Sequence, residues 1–251
     1  MHNYKAVIEY DGSNFHGFQI QPGGLRTVQH EILKVLNQIF NNEVNISYAG
    51  RTDTGVHATG QVINFKVKKK FELNRLQWSL NLLLPEDISV KEVKEVSENF
   101  SSKHCALWRK YNYFVVNDCY QSVFLKKYSI LVCRKLDVNL MNEACRYFLG
   151  EHNLSSFCSP DDKNENKVKN IFEFNVRSFK NYYQDNVLVF NIKANSFLYN
   201  MARIMIGTVL EVGKAIRDVS SVIEAINLKD RNLAGNIVDS KGLFLTEVGY
   251  N

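Results

Sequence analysis

Two spacings of apolar residues alternate along the first hundred positions. Runs with strand character are residues 4–10, 44–48, 61–67 and 88–96. Helical spacing begins after Thr27, a suitable N-cap, and recurs from Leu73 to Leu83 before Pro85. The first helix has one apolar stripe, made of Val28, Ile32, Leu36, Ile39 and Phe40. The resulting order, β-α-β-β-α-β, predicts a ferredoxin-like unit.

The second half of the chain repeats this order of elements. Strands are predicted at 111–117, 170–179, 187–195 and 242–248. Helices are predicted at 139–149, ended by Gly150, at 197–214, and from near Asp218. The inward face of the second of these helices is made of Phe197, Met201, Ile204, Met205 and Val209.

We therefore predict an α+β protein of two ferredoxin-like units, residues 1–105 and residues 106–251, lying side by side. Their strands are expected to form an extended mixed or antiparallel sheet. A central cleft between the units is the expected ligand site, because sites tend to lie between such units.

Composition places the chain among soluble globular proteins. Its 251 residues are 45% hydrophobic and 23% charged. No apolar run approaches the roughly 20 residues that cross a bilayer, and the first residues do not resemble a secretory signal. The five cysteines lie at positions 105, 119, 133, 145 and 158. Since none forms a C-x-x-C pair, we expect free thiols in a reducing cytoplasm and no structural zinc.

Positive charge occurs in clusters along the chain. The formal net charge is +5. Basic residues concentrate at 66–70, 108–110 and 125–127, and at Lys163, Lys167 and Lys169. Each cluster alone is compatible with a solvated surface. Together they favour a polyanionic partner, since each phosphate that is neutralised releases counterions.

The segment "AGRTDTGVHATG", residues 49–60, is the strongest candidate for chemistry. It is predicted to be a loop that places Arg51, Asp53 and His57 among small residues. Arg51 can pair with Asp53 or with a phosphate, and a nearby cation lowers the pKa of a carboxylate. Asp53 would then stay ionised, as a nucleophile or base must. Two alternatives remain: a turn in which Asp53 caps backbone amides, and a metal site that lacks a third ligand.

Several motifs resemble those of the TruA family of tRNA pseudouridine synthases. The segment "GRTDTGVHATGQV" is similar to the family's G-R-T-D-x-G-V-H-A-x-G-Q-V signature. Collinear similarity continues in "IEYDGSNFHGFQIQP", "RTVQHEI", "NLLLPEDI", "WRKYNYFV" and "NSFLYNMARIMIGTVLEVG". The resemblance therefore covers nearly the whole chain.

The resemblance implies the pseudouridine synthase fold with an RNA-binding cleft. It implies isomerisation of uridine to pseudouridine at positions 38, 39 and 40 of the tRNA anticodon stem-loop. It also implies a homodimer, with no cofactor, no metal and no membrane. The glycosidic bond moves from N1 to C5 of the same base, so nothing is consumed.

The resemblance also implies roles for individual residues. Asp53 matches the catalytic aspartate, a nucleophile or base, and Arg51 and Arg203 match arginines near it. Tyr111 matches the tyrosine that stacks on the target base, and Leu243 an apolar wall of the pocket. The residues Arg109 and Lys169 are also expected to bind substrate. His57 is expected to hold the loop by a hydrogen bond.

Two lysines depart from the family's pattern. Lys103 and Lys169 stand where the family often has arginine. Lysine lacks the bidentate fork of arginine, so the range of modified sites is the property most affected. The alternatives are a synthase with a shifted site range, a tRNA-binding protein without catalysis, and, more remotely, a metal-dependent phosphoesterase using Asp53 and His57.

Overall fold

The computed structural model describes residues 1–250. Within them the protein is α+β, with five α-helices and both parallel and antiparallel strand pairs. One compact unit is Met1–Arg109 together with the residues from Phe244 onward, and the other is Lys110–Leu243. This division differs from the predicted ranges 1–105 and 106–251 mainly in the last strand, which contacts the first unit. None of the helices in the described residues is long and apolar enough to cross a membrane.

The first unit has the predicted β-α-β-β-α-β order. Its elements are β1 (His2–Tyr10), α1 (Val28–Phe40), β2 (Ile46–Tyr48), β3 (His57–Val67), α2 (Leu73–Leu83) and β4 (Ile88–Val96). Within its sheet β1 pairs antiparallel with β3 and β4, and β2 pairs antiparallel with β3. The strand order is therefore β4-β1-β3-β2, as in a ferredoxin-like unit.

The hydrophobic pattern explains how the first unit packs. Alternate residues of β1 are buried, among them Tyr4, Ala6 and Ile8. The buried face of α1 consists of Val28, Ile32, Val35 and Leu36. This helix begins where the Thr27 side chain accepts a hydrogen bond from the His30 amide, as its N-cap role predicts.

The third strand is longer than the predicted 61–67 and begins at His57. Part of the predicted loop, residues 57–60, is therefore strand. The reason is a partner far away in sequence: Phe244 and Leu245 of β10 (Leu243–Gly249) pair in parallel with His57 and Ala58. Gly60 permits this approach, since a Cβ there would lie 2.0 Å from the Thr246 carbonyl oxygen.

The second unit contains a sheet with its helices packed against it. Its elements are β5 (Trp108–Val116), β6 (Ile130–Leu131), α3 (Val138–Arg146), β7 (Gly150–Asn153), β8 (Val168–Lys180), β9 (Asn186–Ala194), α4 (Met201–Gly213) and α5 (Ser220–Leu228). Four strands follow the order β5-β9-β8-β7, and β6 pairs with β5. The short strands β6 and β7 are absent from the sequence prediction.

Two helices of the second unit are shorter than predicted. Instead of spanning 139–149, α3 ends at Arg146, and Gly150, with φ of 92°, begins β7. The chain turns away because the fully buried Phe148 packs edge-on against Phe157 and Phe174. Similarly, α4 begins at Met201 rather than at 197, since Asn200 has left-handed backbone with φ of 61°.

Candidate active site

Residues 49–56 form a loop between β2 and β3, and a second segment, residues 11–18, packs against its backbone. A Cβ on Gly12 would lie 2.0 Å from the Val56 carbonyl oxygen. Gly17 has φ of 82°, and its Cβ would lie 2.8 Å from the Thr52 carbonyl oxygen. Only glycine fits at these two positions, so the sequence holds two backbone segments at a separation that side chains would prevent.

Hydrogen bonds fix the residues on both sides of Asp53. The buried hydroxyl of Thr52 lies 2.7 Å from the Tyr10 hydroxyl, and the Thr52 carbonyl accepts from the Phe18 amide at 3.0 Å. The Val56 amide donates to the Asp53 carbonyl at 3.1 Å, closing a turn. The partly buried side chain of Asp53 thus extends from a backbone that is held in place.

Tyr10 is a neutral partner in this network. Burial raises the pKa of its phenol well above the ordinary value, against the smaller opposing effect of hydrogen bonds with Thr52 and Gln61. The phenol therefore stays protonated and can donate to Thr52 throughout the physiological range.

His57 follows the loop and contacts two other parts of the first unit, the segment of residues 11–18 and strand β10. Its ring is 1% exposed and stacks on Phe244, with centroids 4.5 Å apart and planes inclined by 19°. The Gly12 amide lies 3.0 Å from His57 Nδ1, and an Asp11 carboxylate oxygen lies 3.1 Å from the same nitrogen. The hydrogen bond predicted for His57 is present, and its role in holding the loop stays a prediction.

The sequence suggested two partners for Arg51, the Asp53 carboxylate or a phosphate. Arg51 is exposed to solvent, where an ion pair gains little energy and costs side-chain entropy. Its pairing with either partner stays a prediction.

The Arg109 guanidinium donates hydrogen bonds to the backbone at the start of the loop. Its Nε and Nη2 donate to the Ala49 carbonyl at 3.1 and 2.8 Å, and its Nη1 donates to the Ala106 carbonyl at 3.1 Å. The Gln61 side-chain amide donates to the Gly50 carbonyl at 2.7 Å. These bonds satisfy the carbonyls that precede Arg51, while substrate binding by Arg109 stays a prediction.

In the second unit, two tyrosines of β5 occupy different environments. Tyr113 is fully buried and donates to the Asp239 carbonyl at 2.8 Å, which makes it a core residue. Tyr111 is 7% exposed and meets the edge of Phe197, with ring centroids 4.8 Å apart at 81°. Leu243 is buried. The substrate roles of Tyr111 and Leu243 stay predictions.

Arg203 lies in the first turn of α4 and is held at two atoms. Its Nε donates to the Val238 carbonyl at 2.8 Å, and its Nη1 donates to the Asn200 side-chain oxygen at 3.0 Å. Asn200 in turn donates to the Ser159 hydroxyl at 2.7 Å. The Arg203 guanidinium is therefore positioned by Val238 and by Asn200, the residue just before α4.

The Asp162 carboxylate, which the sequence did not indicate as functional, binds the backbone just before Asn200. It accepts from the Tyr199 amide at 2.5 Å, the Asn164 amide at 2.8 Å and the Lys167 ammonium at 2.7 Å. Burial disfavours the charged form, yet the hydrogen bonds from Lys167 and the two amides hold the pKa of the Asp162 carboxyl below its usual value. No local motif indicates this role, since Tyr199 is 37 residues away.

Lys169 is less available to a phosphate than the sequence suggested. It is 4% exposed, and its ammonium donates to the Asn166 carbonyl at 2.7 Å. Burial lowers the pKa of this ammonium. Lys103, the other departure from the family's pattern, is exposed.

A family model described as "tRNA pseudouridine synthase" matches residues 6–103 and 144–251. The chain belongs to this family. The resemblance to TruA enzymes is thereby confirmed, as is the fold class. Members of the tRNA pseudouridine synthase family are isomerases that convert uridine to pseudouridine, and tRNA is their substrate class. The matched ranges include Asp53 and Arg203, whereas Arg109 and Tyr111 lie between them.

Curated relatives of this synthase align with it over all or nearly all of both chains. The chain is 38% identical to "tRNA pseudouridine synthase A" of Caldicellulosiruptor saccharolyticus over 250 residues, covering 100% of both. It is 38% identical to "tRNA pseudouridine synthase A 1" of Bacillus cereus over 254 residues, again covering 100% of both. A Geobacillus relative is 38% identical over 98% of each chain.

A solved Cbf5-Nop10-Gar1 complex is more distant. It has 10% sequence identity and a TM-score of 0.36, with 97% of this chain and 49% of that chain covered. Within residues 1–250 of the synthase, no three His, Cys, Asp or Glu side chains are arranged to hold a metal ion.

Proposed function

We propose that this synthase forms pseudouridine at positions 38, 39 and 40 of the tRNA anticodon stem-loop, with Asp53 as its reacting carboxylate. The observation that supports this most is the position of Asp53 on a loop whose backbone is fixed on both sides. The contact of Gly12 with Val56 and the buried bond between Tyr10 and Thr52 leave the loop little freedom. A catalytic group gains most when its position is set before the substrate arrives.

The reaction needs one carboxylate and no co-reactant. The bond between N1 and C1′ breaks, the base turns, and a bond forms between C5 and C1′. The hydrogen of C5 leaves, and N1 gains a proton, so product and substrate are isomers. Asp53 acts as a nucleophile on the sugar or base, or as a base that takes a sugar proton.

The target uridine must leave the helical stack before this chemistry, at a cost of a few kcal/mol. Stacking on an aromatic ring can return about 1–3 kcal/mol per base. We assign that stacking to Tyr111, whose ring orientation is set by the edge contact with Phe197. Leu243 is assigned to the apolar wall of the pocket.

Cationic side chains are assigned to the charged parts of the RNA. Arg203 offers a guanidinium fixed by Val238 and Asn200. Arg51 is exposed and suited to a phosphate. Weaker phosphate contacts are proposed for Arg109 and Lys169, whose known bonds are to carbonyls. We further propose that the enzyme works in the cytoplasm as a homodimer.

The test uses tRNA with tritium at C5 of uridine, incubated with the protein in EDTA. We expect tritium release from the unaltered chain and none from Asp53→Asn, with tRNA affinity within a few-fold. Asp161→Asn is the matched control, because Asp161 is an exposed aspartate outside the loop. Substrates with a single labelled uridine at position 38, 39 or 40 then report the site range.

Other outcomes identify the alternatives. Binding of tRNA without any tritium release points to a tRNA-binding protein without catalysis. Release only from uridines outside the three positions points to a shifted site range. Strand cleavage that requires added metal points to a phosphoesterase. Substantial turnover by Asp53→Asn removes this carboxylate from the reaction.

A further inference from the structure

Three aromatic side chains project into solvent at one end of the second unit. Phe124 is 64% exposed, Tyr182 is 91% exposed and Tyr183 is 44% exposed. Phe124 stacks on Tyr183 with centroids 5.1 Å apart and an angle of 20°, and Tyr182 meets Tyr183 edge-on at 5.5 Å. These three rings form the aromatic platform. Contiguous exposed apolar surface of this kind usually marks an interaction site.

The platform is built from two segments that are joined below the rings. One is the connection between β8 and β9, and the other follows β5. The Ser122 amide donates to the Asp185 carboxylate at 3.3 Å, and Asp185 is fully buried. Leu125 packs against a buried cluster of Val116, Val187 and Val189. The rings are thus held on the sheet by neighbouring side chains.

Positive charge borders the platform. Lys126 and Lys127 follow Phe124 and are exposed, and Lys180 is exposed at the start of the other segment. Within residues 1–250, neither Lys126 nor Lys127 forms an ion pair. The two nearest acidic residues in sequence, Asp118 and Asp185, accept hydrogen bonds from backbone amides. The exposed rings therefore lie beside cations, while the carboxylates of Asp118 and Asp185 bind backbone amides.

We propose that the aromatic platform binds unpaired nucleotides of RNA. The rings stack on bases, and Lys126 and Lys127 contact phosphates. Base stacking on exposed aromatic side chains, combined with basic residues along the backbone, is the general mode of single-stranded RNA binding. A second copy of the chain fits less well, because the centres of protein interfaces are depleted in lysine. That the RNA is tRNA rests on the proposed function.

The test measures the dissociation constant of fluorescent tRNA by anisotropy. We expect the double variant Phe124→Ser with Tyr183→Ser to weaken binding roughly fivefold to a hundredfold, the range that corresponds to removing the stacking of one base. Trp78→Ser is the matched control, because Trp78 is 65% exposed on α2.

A second pair of variants keeps the rings intact. Lys126→Ala with Lys127→Ala is expected to reduce the salt dependence of binding, because fewer counterions are released when fewer phosphates are neutralised. The logarithmic slope should decrease by about 0.7 for each phosphate that the lysines no longer neutralise. Lys34→Ala, an exposed lysine of α1, serves as the control.

Two results would overturn the proposal, and a third distinguishes its failure from that of the proposed function. An unchanged affinity together with an unchanged salt slope removes the platform from RNA binding. A change in particle mass by light scattering, with affinity per protomer unaltered, assigns the surface to association between copies of the chain. If the unaltered chain binds tRNA but releases no tritium, the proposed function fails, while the binding measurements still decide the role of the platform.

Discussion

The Asp53 loop of the first unit and the Arg203 turn of the second unit are both fixed, but by different means. The loop is held by backbone contacts at glycines, by the bond of Tyr10 with Thr52, and by the Arg109 guanidinium, which donates to the Ala49 carbonyl. The Arg203 turn depends on the carboxylate of Asp162, which binds an ammonium and two amides. Steric change should therefore damage the first support, and acid should damage the second.

The largest effect is expected from Gly12→Ala. The added methyl would lie 2.0 Å from the Val56 carbonyl oxygen, so the two backbone segments must move apart. Because misplacement of a catalytic group by about 1 Å can cost a hundredfold in rate, we expect turnover to fall by about that factor. Single-turnover tritium release checks this.

Gly50→Ala is the matched control within the loop. A Cβ on Gly50 meets nothing within 4 Å, and its φ is not left-handed. We expect activity close to that of the unaltered chain. If Gly12→Ala behaves like Gly50→Ala, the close backbone approach is not what positions Asp53.

A smaller, pH-dependent effect is expected from Asp162→Asn. Hydrogen bonds lower the folded pKa of this carboxyl, so its contribution to stability is present above the unfolded pKa of about 3.9 and is lost as the pH falls through the folded value. At pH 7 we expect the free energy of unfolding to decrease by about 1–3 kcal/mol. The difference from the unaltered chain should shrink below about pH 4.

Denaturant titrations between pH 3 and pH 7 measure this difference. Asp161→Asn, the exposed neighbour, should show no comparable trend. A cost for Asp162→Asn that is equal at every pH would mean that the carboxylate's charge is not what anchors Tyr199.

The smallest effect is expected from Thr52→Val. The change keeps the shape of the side chain but removes the buried bond to the Tyr10 hydroxyl, at a cost of about 0.5–1.5 kcal/mol in unfolding free energy. Tyr10→Phe should cost a similar amount. The double variant should cost less than the sum of the two, because both remove the same bond. Additive costs in thermal unfolding would contradict the pairing.

The local pattern predicted most elements because their apolar faces are periodic. In β1 alternate residues are buried, and in α1 the buried residues follow the helical stripe from Thr27 onward. Predictions failed where a distant partner decides the structure. His57 begins a strand because Phe244 pairs beside it, and α3 ends early because Phe148 turns into the core. Neither partner is visible within a window of local sequence.

The same limit applies to the candidate site. The motif around Asp53 identified the loop. The pairing of Arg51 with Asp53 or with a phosphate stays a prediction, because spacing along the chain does not determine where an exposed side chain points. The support of Arg203 through Asn200 and Asp162 depends on residues 159–200 folding back on each other, which no spacing predicts.

The parallel pairing of residues 57–58 with residues 244–245 has a consequence for synthesis on the ribosome. The nascent chain completes β3 long before β10 emerges, so one edge of that strand waits for its neighbour. At typical elongation rates the delay is on the order of ten seconds or more. During this time the exposed edge is open to unwanted strand pairing, and chaperone protection of newly made chains would act at this edge.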